Sequence, residues 1–346
     1  MCENVLRIAF RVDANQNIGL GHVMRCQTII KVCLKRRIQC TFYTTSEIVE
    51  EKGSEMGIEV LRLNSISFSM CEAQLLKHTM KKRNEEILFI DSYDVTEQYL
   101  EELHNIYTIL LVDNQCDLFA NMIIQPNAYL QEQGKVQKTA IGTYLKGMEY
   151  QPIREEFFLN QVILREEIEN ILILTGGTFY ENFVLSLLTT LFNHFCTLNV
   201  TVLTGARLGK DAVKKIEDQF SHWNLEIVCN VSNVAEIMKK NDIAISACGS
   251  TIYEIMAIGL PVVAFSMAEN QRVTLEVLRR DAGIIYAGEM FDAEIVESIL
   301  KGLDKLKNIE QRKQQVRKMR EVIKANGAER IVFEICEHYF KERRSC

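Results

Sequence analysis

Short apolar runs alternate with longer amphipathic stretches through the first half of the chain. "VLRIAFRV" (5–12) reads as a strand, and "HVMRCQTIIKVCLKRR" (22–37) repeats its apolar residues at helical spacing. "QCTFYTT" (39–45) and "IEVLRL" (58–63) read as further strands. "EILFIDSY" (86–93) is an apolar run ending in Asp91, "TILLVDN" (108–114) ends in Asp113, and "MIIQPNAY" (122–129) follows. Alternation of this kind predicts a parallel sheet with helices on both faces.

The pattern then restarts. "NILILTGGT" (170–178) is a strand entering a glycine turn, and "ENFVLSLLTTLFNHF" (181–195) has helical spacing. "NVTVLTG", "LEIVCN", "DIAISACGST" and "PVVAFS" supply further strands, with "VAEIMKKN" and "TIYEIMAIG" as helices between them. Pro152 and a charged stretch interrupt the periodicity in "YQPIREEFFLNQVILREEIEN", so the boundary is expected within 155–168. This gives an N-terminal Rossmann-like domain over 1–160 and a C-terminal one over 161–346. The last stretch, 312–340, reads as helical with a break at Gly327, and its final helix is expected to pack back on the N-terminal domain. Two doubly wound halves imply a cleft between them. In open parallel sheets, ligands bind beyond the carboxyl ends of the strands. The loops leaving those ends are therefore where chemistry is sought.

Composition sharpens this picture only in places. With 346 residues, 47% of them hydrophobic, each half can bury its own core. The net charge of -6 argues against a nucleic-acid partner. The 11 cysteines are scattered singles without a CxxC pair, and Cys26, Cys33, Cys40, Cys196 and Cys248 sit in apolar surroundings. They read as reduced, buried thiols of a cytoplasmic protein. Glu3 and a strand-length apolar run do not make a signal peptide, and no run reaches the roughly 18 apolar residues of a membrane span. There is no DxD motif and no Cys/His ligand set, so neither a metal nor another cofactor is expected.

Three loops carry candidate chemistry. In "ILILTGGTFYEN" (171–182), Gly176 and Gly177 let backbone approach a ligand, with Thr178 beside them. The helix that follows offers free N–H groups and a positive dipole end, an anion site; a tight turn without a ligand is the other reading. In "DIAISACGSTIYEIMAIGLPVVAF" (242–265), Ser250 and Thr251 stand where a helix begins. Glu254 either completes a capping arrangement or accepts from the two hydroxyls of a ribose. "MAENQRVT" adds Asn270 and Gln271. The third loop, "RVDANQNIGLGHVMRC" (11–26), places His22 after Gly19 and Gly21, in the first turn of a helix. The positive dipole end there disfavours imidazolium, and a neutral imidazole can take a proton. Asp13, at the end of the preceding strand, is a candidate to hold the other ring nitrogen, a contact the sequence leaves open; a His that only bonds its own turn is the plain alternative. Asp91 with Tyr93, and Asn127 with Tyr129, end further strands and either line the same cleft or serve as turn residues.

These motifs resemble the GT-B nucleotide-sugar proteins. The opening loop is similar to the Gly-Gly-His loop of the lipid-II-forming N-acetylglucosaminyltransferase. In particular the motifs resemble the PseG family, the UDP-2,4-diacetamido-2,4,6-trideoxy-β-L-altropyranose hydrolases of pseudaminic acid biosynthesis. The wider group includes SpsG-type spore-coat polysaccharide proteins. The resemblance rests on Arg-x-Asp, Ile-Gly-x-Gly-His and Arg within 11–26. "IDSY", "NAY", "GMEYQPIREEF", "TGGT", "SACGSTIYE", "ENQ" and "NGAERI" follow in order over nearly the whole chain. It implies a GT-B-like α/β fold, two Rossmann-like domains facing across a cleft, with His22 as general base. It places UDP on Gly176, Gly177, Thr178, Ser250, Thr251 and Glu254, with Asn270 and Gln271 beside them. The sugar falls to Tyr93 and Asn127 and to the room made by Asp13, Gly19 and Gly21. "QPNAY" and "GMEYQPI" differ in detail from the family pattern, which bears on the sugar.

The activity implied is metal-independent, inverting hydrolysis of the UDP-linked sugar, releasing UDP and free sugar in the cytoplasm. The expected partners are the UDP-sugar and neighbouring enzymes of the same pathway. No acetyltransferase domain is expected after "NGAERI". Two other readings remain: a GT-B transferase in which His22 deprotonates an acceptor hydroxyl, and a non-catalytic nucleotide-sugar-binding subunit of surface-glycan assembly. A membrane-docking transferase would need a basic amphipathic face; "MRCQTIIKVCLKRR" is the one candidate, and it reads as a core-packed helix.

Overall fold

Two parallel sheets organise the chain. The computed structural model describes residues 5–345 apart from 15–19, 115, 134–135, 139–141, 178, 196, 206–207, 230 and 232, and without the side chains of 131–133, 136–138 and 345. The chain divides into two compact units, Met1–Pro152 with Asn326–Cys346, and Ile153–Ala325.

The first unit opens with β1 (Arg7–Val12), α1 (Gly21–Lys35), β2 (Gln39–Thr44), α2 (Glu47–Glu55), β3 (Glu59–Arg62), α3 (Met70–Arg83) and β4 (Ile87–Asp91). It continues through α4 (Glu97–Glu102), β5 (Tyr107–Leu111), β6 (Met122–Gln125), β7 (Val136–Lys138) and β8 (Thr143–Lys146). The strand order is β3-β2-β1-β4-β5-β6-β8-β7, parallel except for the pairing of β7 with β8. Side chains alternate between the faces of this sheet. Ile8, Phe10 and Val12 of β1 and Ile87 and Phe89 of β4 join a core shared with α1. Ala9, Leu88 and Ile90 point the other way, into a core with Leu76 and Met80 of α3. Both faces are dry, which is why these strands read as unbroken apolar runs.

The second unit contains α5 (Glu156–Leu159), β9 (Asn170–Leu174), α6 (Glu181–His194), β10 (Asn199–Thr204), α7 (Lys210–Gln219), β11 (Asn224–Cys229) and α8 (Val234–Lys239). There follow β12 (Ile243–Ala247), α9 (Thr251–Ile258), β13 (Val262–Ser266), α10 (Glu269–Asp281), β14 (Ile285–Glu289), α11 (Ile295–Leu306) and α12 (Ile309–Val322). Its sheet, β11-β10-β9-β12-β13-β14, has the strand order of a dinucleotide-binding domain. Ile171, Ile173, Val202, Ile245 and Phe265 pack on one face against Leu187, Leu191 and Leu303.

The boundary falls at Pro152–Ile153, ahead of the stretch the sequence favours. Arg154 and α5 already belong to the second unit, because Arg154 pairs with Glu254 and Val162 N–H bonds the Ile258 carbonyl. The last helix, α13 (Gly327–Ser345), returns to the first unit, where Ile331, Val332 and Ile335 enter the core beneath α1. The helix break lies at 323–326, and Gly327 starts α13 rather than interrupting it. Glycine is required there for space, since a Cβ would stand 2.0 Å from the Gln151 carbonyl oxygen. α1 itself is core-packed, with Val23, Cys26, Ile29, Ile30 and Cys33 fully buried. No helix among the described residues is long and apolar enough to cross a membrane.

Gly327→Val should therefore destabilise the first unit by about 1–3 kcal/mol, the usual range for a forced backbone shift. Chemical denaturation checks this, and the expected result is a lower midpoint.

Candidate functional site

In each sheet the order reverses beside a central strand: chain leaves β1 towards β2 and returns at β4, and leaves β9 towards β10 and returns at β12. Loops after these pairs diverge and open a crevice at the carboxyl edge. Of the predicted site residues that the structure describes, His22 and Tyr93 fall at the first of these places and Gly176, Gly177, Ser250 and Thr251 at the second, while Asn127 follows β6 and Asn270 and Gln271 follow β13.

In the first unit, Val12 of β1 lies in register with Asp91, the last residue of β4. His22, the second residue of α1, is buried and points its Nδ1 at Asp91 Oδ1, 2.5 Å away. Arg25, three residues along α1, donates Nε and Nη2 to the two Asp91 oxygens at 3.0 and 2.7 Å, and Nη1 to Asp113 Oδ1 at 2.5 Å. Nδ1 and Arg25 Nη2, 3.0 Å apart, converge on the same carboxylate oxygen. A carboxylate only accepts, so Nδ1 carries a proton, and in the neutral imidazole Nε2 keeps its lone pair. Nε2 takes no hydrogen bond among the described residues, and it is not one of the enclosed unpaired atoms. The exposed Tyr93 packs edge-on against the imidazole, ring centroids 4.7 Å apart, and its hydroxyl donates to Asp113 Oδ2 at 2.6 Å. Burial opposes ionisation of Asp113, but Arg25 and the Tyr93 hydroxyl hold its carboxyl below the usual carboxylate range.

The candidate partner from the sequence, Asp13, is elsewhere engaged. Its carboxylate accepts from Arg11 Nη2 at 2.7 Å, Thr44 Oγ1 and Thr45 N–H at 2.8 Å each, and the Ser67 hydroxyl. Arg11, fully buried, also forms a two-pronged pair with Glu72 of α3. Asp13 therefore ties together the loops after β1, β2 and β3, and it does not hold His22. Asn127 is buried and donates to the Asp113 carbonyl at 2.5 Å, while the Tyr129 hydroxyl donates to the same oxygen at 3.0 Å. Both brace the loop after β5. Gly21 begins α1, and Gly19 lies outside the described residues.

In the second unit, Leu174 of β9 lies in register with Ser246 of β12, and exposed glycines follow both. Gly176 has φ +73°, a left-handed conformation suited to glycine, and its carbonyl accepts from Gly205 N–H at 2.8 Å. Gly177 is exposed beside it, and Thr178 lies outside the described residues. Ser250 is the N-cap of α9 without a side-chain capping bond, and Thr251 opens the helix, so the capping alternative does not form; with Tyr253 at the third helical position, Glu254 stands one residue too far along for it. Arg154 donates Nε and Nη2 to Glu254 Oε1 at 3.2 and 3.0 Å. Burial pushes the Glu254 carboxyl up despite Arg154. Oε2 of Glu254 has no hydrogen bond among the described residues. Asn270 and Gln271 lie in the first turn of α10, where Gln271 Oε1 accepts from Met267 N–H at 2.9 Å and Asn270 Oδ1 from Gln271 N–H at 3.0 Å. Among the described residues no group of three or more His, Cys, Asp or Glu side chains is placed to hold a metal.

Sequence reasoning left Arg25, Asp113 and Arg154 out of the site and gave Asp91 no partner. For Arg25 there was a signal, since a charge three residues from His22 in an apolar helix must share its face. Arg154 sits in the charged join and carries no such mark.

Comparisons with known proteins fit this architecture. Residues 171–331 match the Glycosyltransferase family 28 C-terminal domain. The chain is 26% identical over 288 residues to the uncharacterized protein MJ1062 of Methanocaldococcus jannaschii, covering 77% of this chain but only 57% of that relative. It is 24% identical over 279 residues to the UDP-2,4-diacetamido-2,4,6-trideoxy-β-L-altropyranose hydrolase of Campylobacter jejuni, covering 78% and 94% of the two chains. It is 23% identical over 294 residues to the spore coat polysaccharide biosynthesis protein SpsG of Bacillus subtilis, covering 78% and 80%. A glycosyltransferase structure from Rickettsia africae superposes with TM-score 0.68 at 14% identity, over 96% of this chain and 98% of that one. The fold is thus that of GT-B glycosyltransferases, two Rossmann-like α/β domains, and the chain is distantly related to a UDP-sugar hydrolase and to a protein of surface-polysaccharide synthesis.

The Asp13 cluster makes a pH prediction. Burial works against ionisation, but the Arg11 hydrogen bond and charge, with Ser67 and Thr45, outweigh it and bring Asp13 from 3.8 to about 2. A carboxyl depressed in the folded state stabilises above its unfolded value, and that contribution is lost as pH falls from 3.8 towards 2. The contribution is on the order of 2 kcal/mol. Urea midpoints of wild type and Asp13→Asn should therefore differ most above pH 4 and converge below it. A gap independent of pH would refute this account.

Proposed function

We propose that this chain hydrolyses a UDP-linked 2,4-diacetamido-2,4,6-trideoxyhexose with inversion at the anomeric carbon. The observation that carries the reading is the His22 geometry: Nδ1–H is committed to Asp91, and Nε2 takes no hydrogen bond among the described residues. Water bonds the anomeric carbon as Nε2 takes its proton. The bond from that carbon to the β-phosphate oxygen breaks, and its electron pair leaves with UDP. The uridine diphosphate is assigned to the second unit. Backbone at Gly176 and Gly177 and the start of α9 at Ser250 and Thr251 meet the diphosphate. Glu254 Oε2 accepts from the ribose, with Asn270 and Gln271 alongside. Thr178 and Gly19 stay in the proposal on sequence grounds alone. Because backbone amides and a helix start carry the charge of the leaving group, no protein acid has to protonate it. The Campylobacter relative, named as a hydrolase of such a sugar, supports the substrate class.

The match to a glycosyltransferase domain over 171–331 favours a second reading, in which an acceptor hydroxyl replaces water and gives its proton to the same Nε2. Acceptor dependence separates the two. Purified protein given the UDP-sugar alone should release UDP, and NMR should show the inverted anomer first. UDP release only when an acceptor is added would decide for transfer. His22→Asn should lower turnover roughly 10²–10⁴-fold while calorimetry shows UDP still bound. Near-normal turnover in that variant would sink the role of His22 in either reading.

A further inference from the structure

We infer that Arg25 and Asp113 are the positioning pair that makes His22 a proton acceptor. Arg25 clamps Asp91 onto Nδ1, and Asp113 supplies the second negative charge that lets Nε2 be protonated. The inference rests on the proposed role of His22 as base and adds how that role is set up.

The groups facing His22 come from two elements and two loop segments. They are Asp91 from β4, Arg25 from α1, Tyr93 from the segment after β4, and Asp113 from the segment after β5. Arg25 fixes both oxygens of Asp91, so the carboxylate cannot swing away from Nδ1. The same guanidinium lies 3.0 Å from the imidazole and cancels the charge of Asp91. Alone, the Arg25–Asp91 pair is neutral, and a proton on His22 would leave this buried cluster at +1. Asp113 changes the count. With it, the cluster is -1 while His22 is neutral and reaches zero when Nε2 takes a proton. Asp113 is built to keep that charge in place. Its carboxylate receives Arg25 Nη1 and the Tyr93 hydroxyl, and its carbonyl is held by Asn127 and Tyr129. Neither Arg25 nor Asp113 needs to touch substrate for this, so both act through His22.

Asp113→Asn is the test, because the amide oxygen can still accept from Arg25 while the charge is gone. Histidine ¹⁵N resonances followed against pH in the ligand-free protein should show His22 titrating at lower pH than in wild type. In turnover, kcat should fall about 10- to 100-fold, with KM and UDP affinity nearly unchanged and the acid limb of the rate profile moved to lower pH. Arg25→Lys, which cannot span both carboxylates, should also lose kcat, and Asp113→Glu should recover part of the Asp113→Asn loss. A His22 titration unchanged or shifted upward in Asp113→Asn overturns the inference, whether or not any sugar is turned over. Should Asp113→Asn fail to fold, judged by circular dichroism and chemical denaturation, the same titration in Asp113→Glu decides. There the retained charge should keep His22 near its wild-type midpoint, and a large fall overturns the inference. Absence of turnover in wild type would instead refute the proposed function and leave the titration result standing.

Discussion

The first unit depends on keeping one buried carboxylate satisfied. Asp91 ends β4 with its side chain fully enclosed, and an ion so placed is tolerated only with strong partners. The partners come from the neighbouring helix: Arg25 covers both oxygens and His22 shares one of them. That requirement fixes the first turns of α1 against β4 and, through Asp113, against the segment after β5. A second buried cluster, Arg11 with Asp13 and Glu72, does the same for the loops after β1, β2 and β3. Between them these clusters lock the carboxyl edge of the sheet, where a reacting group must not wander.

The second unit solves a different problem with the same strand order. Its carboxyl edge carries exposed glycines and a serine after β9 and β12, where the first unit carries charge. Backbone without side chains presents N–H groups to an incoming ligand and holds no fixed charge that would repel a diphosphate. The acid close by, Glu254, has one oxygen neutralised by Arg154 and the other without a bonded partner among the described residues. Each unit taken by itself thus presents a different surface at its carboxyl edge, a buried charged cluster with a histidine in the first and exposed glycines and a serine in the second.

How much of this was legible in the sequence follows from the range of each interaction. The strands were visible because two dry faces demand unbroken apolar runs, and the loops because glycines and small polar residues cluster after them. His22 was visible because a helix start after a glycine turn is a local feature. Its partner was not. Asp13 lies nearer in sequence, but it is the first residue after β1, two beyond Arg11, and the two pair with each other. That signal was available and argued against Asp13 as the holder of His22. Asp91 and Asp113 were noted as strand ends, yet only the packing of α1 over β4 and β5 brings Arg25 between them. Glu254 illustrates the same limit, since the spacing of a capping box says nothing of an arginine 100 residues away.

The two aspartates also constrain what chemistry the first unit can perform. Glycosidases use two carboxyl groups flanking the scissile bond, one of them protonated to serve as acid. Here Arg25 stands between Asp91 and Asp113 and bonds to both, and the remaining lone pairs face His22 and Tyr93. Asp113, held below the usual carboxylate range, is a poor proton donor, and neither group is free to attack a sugar. On the proposed role of His22 as base, neither Asp91 nor Asp113 is therefore available as the partner acid. A site of that kind can break only a bond whose leaving group departs as a stable anion. A nucleoside diphosphate meets that condition, and an ordinary sugar alcohol does not. On the proposed role of His22, its surroundings thus suit an activated sugar.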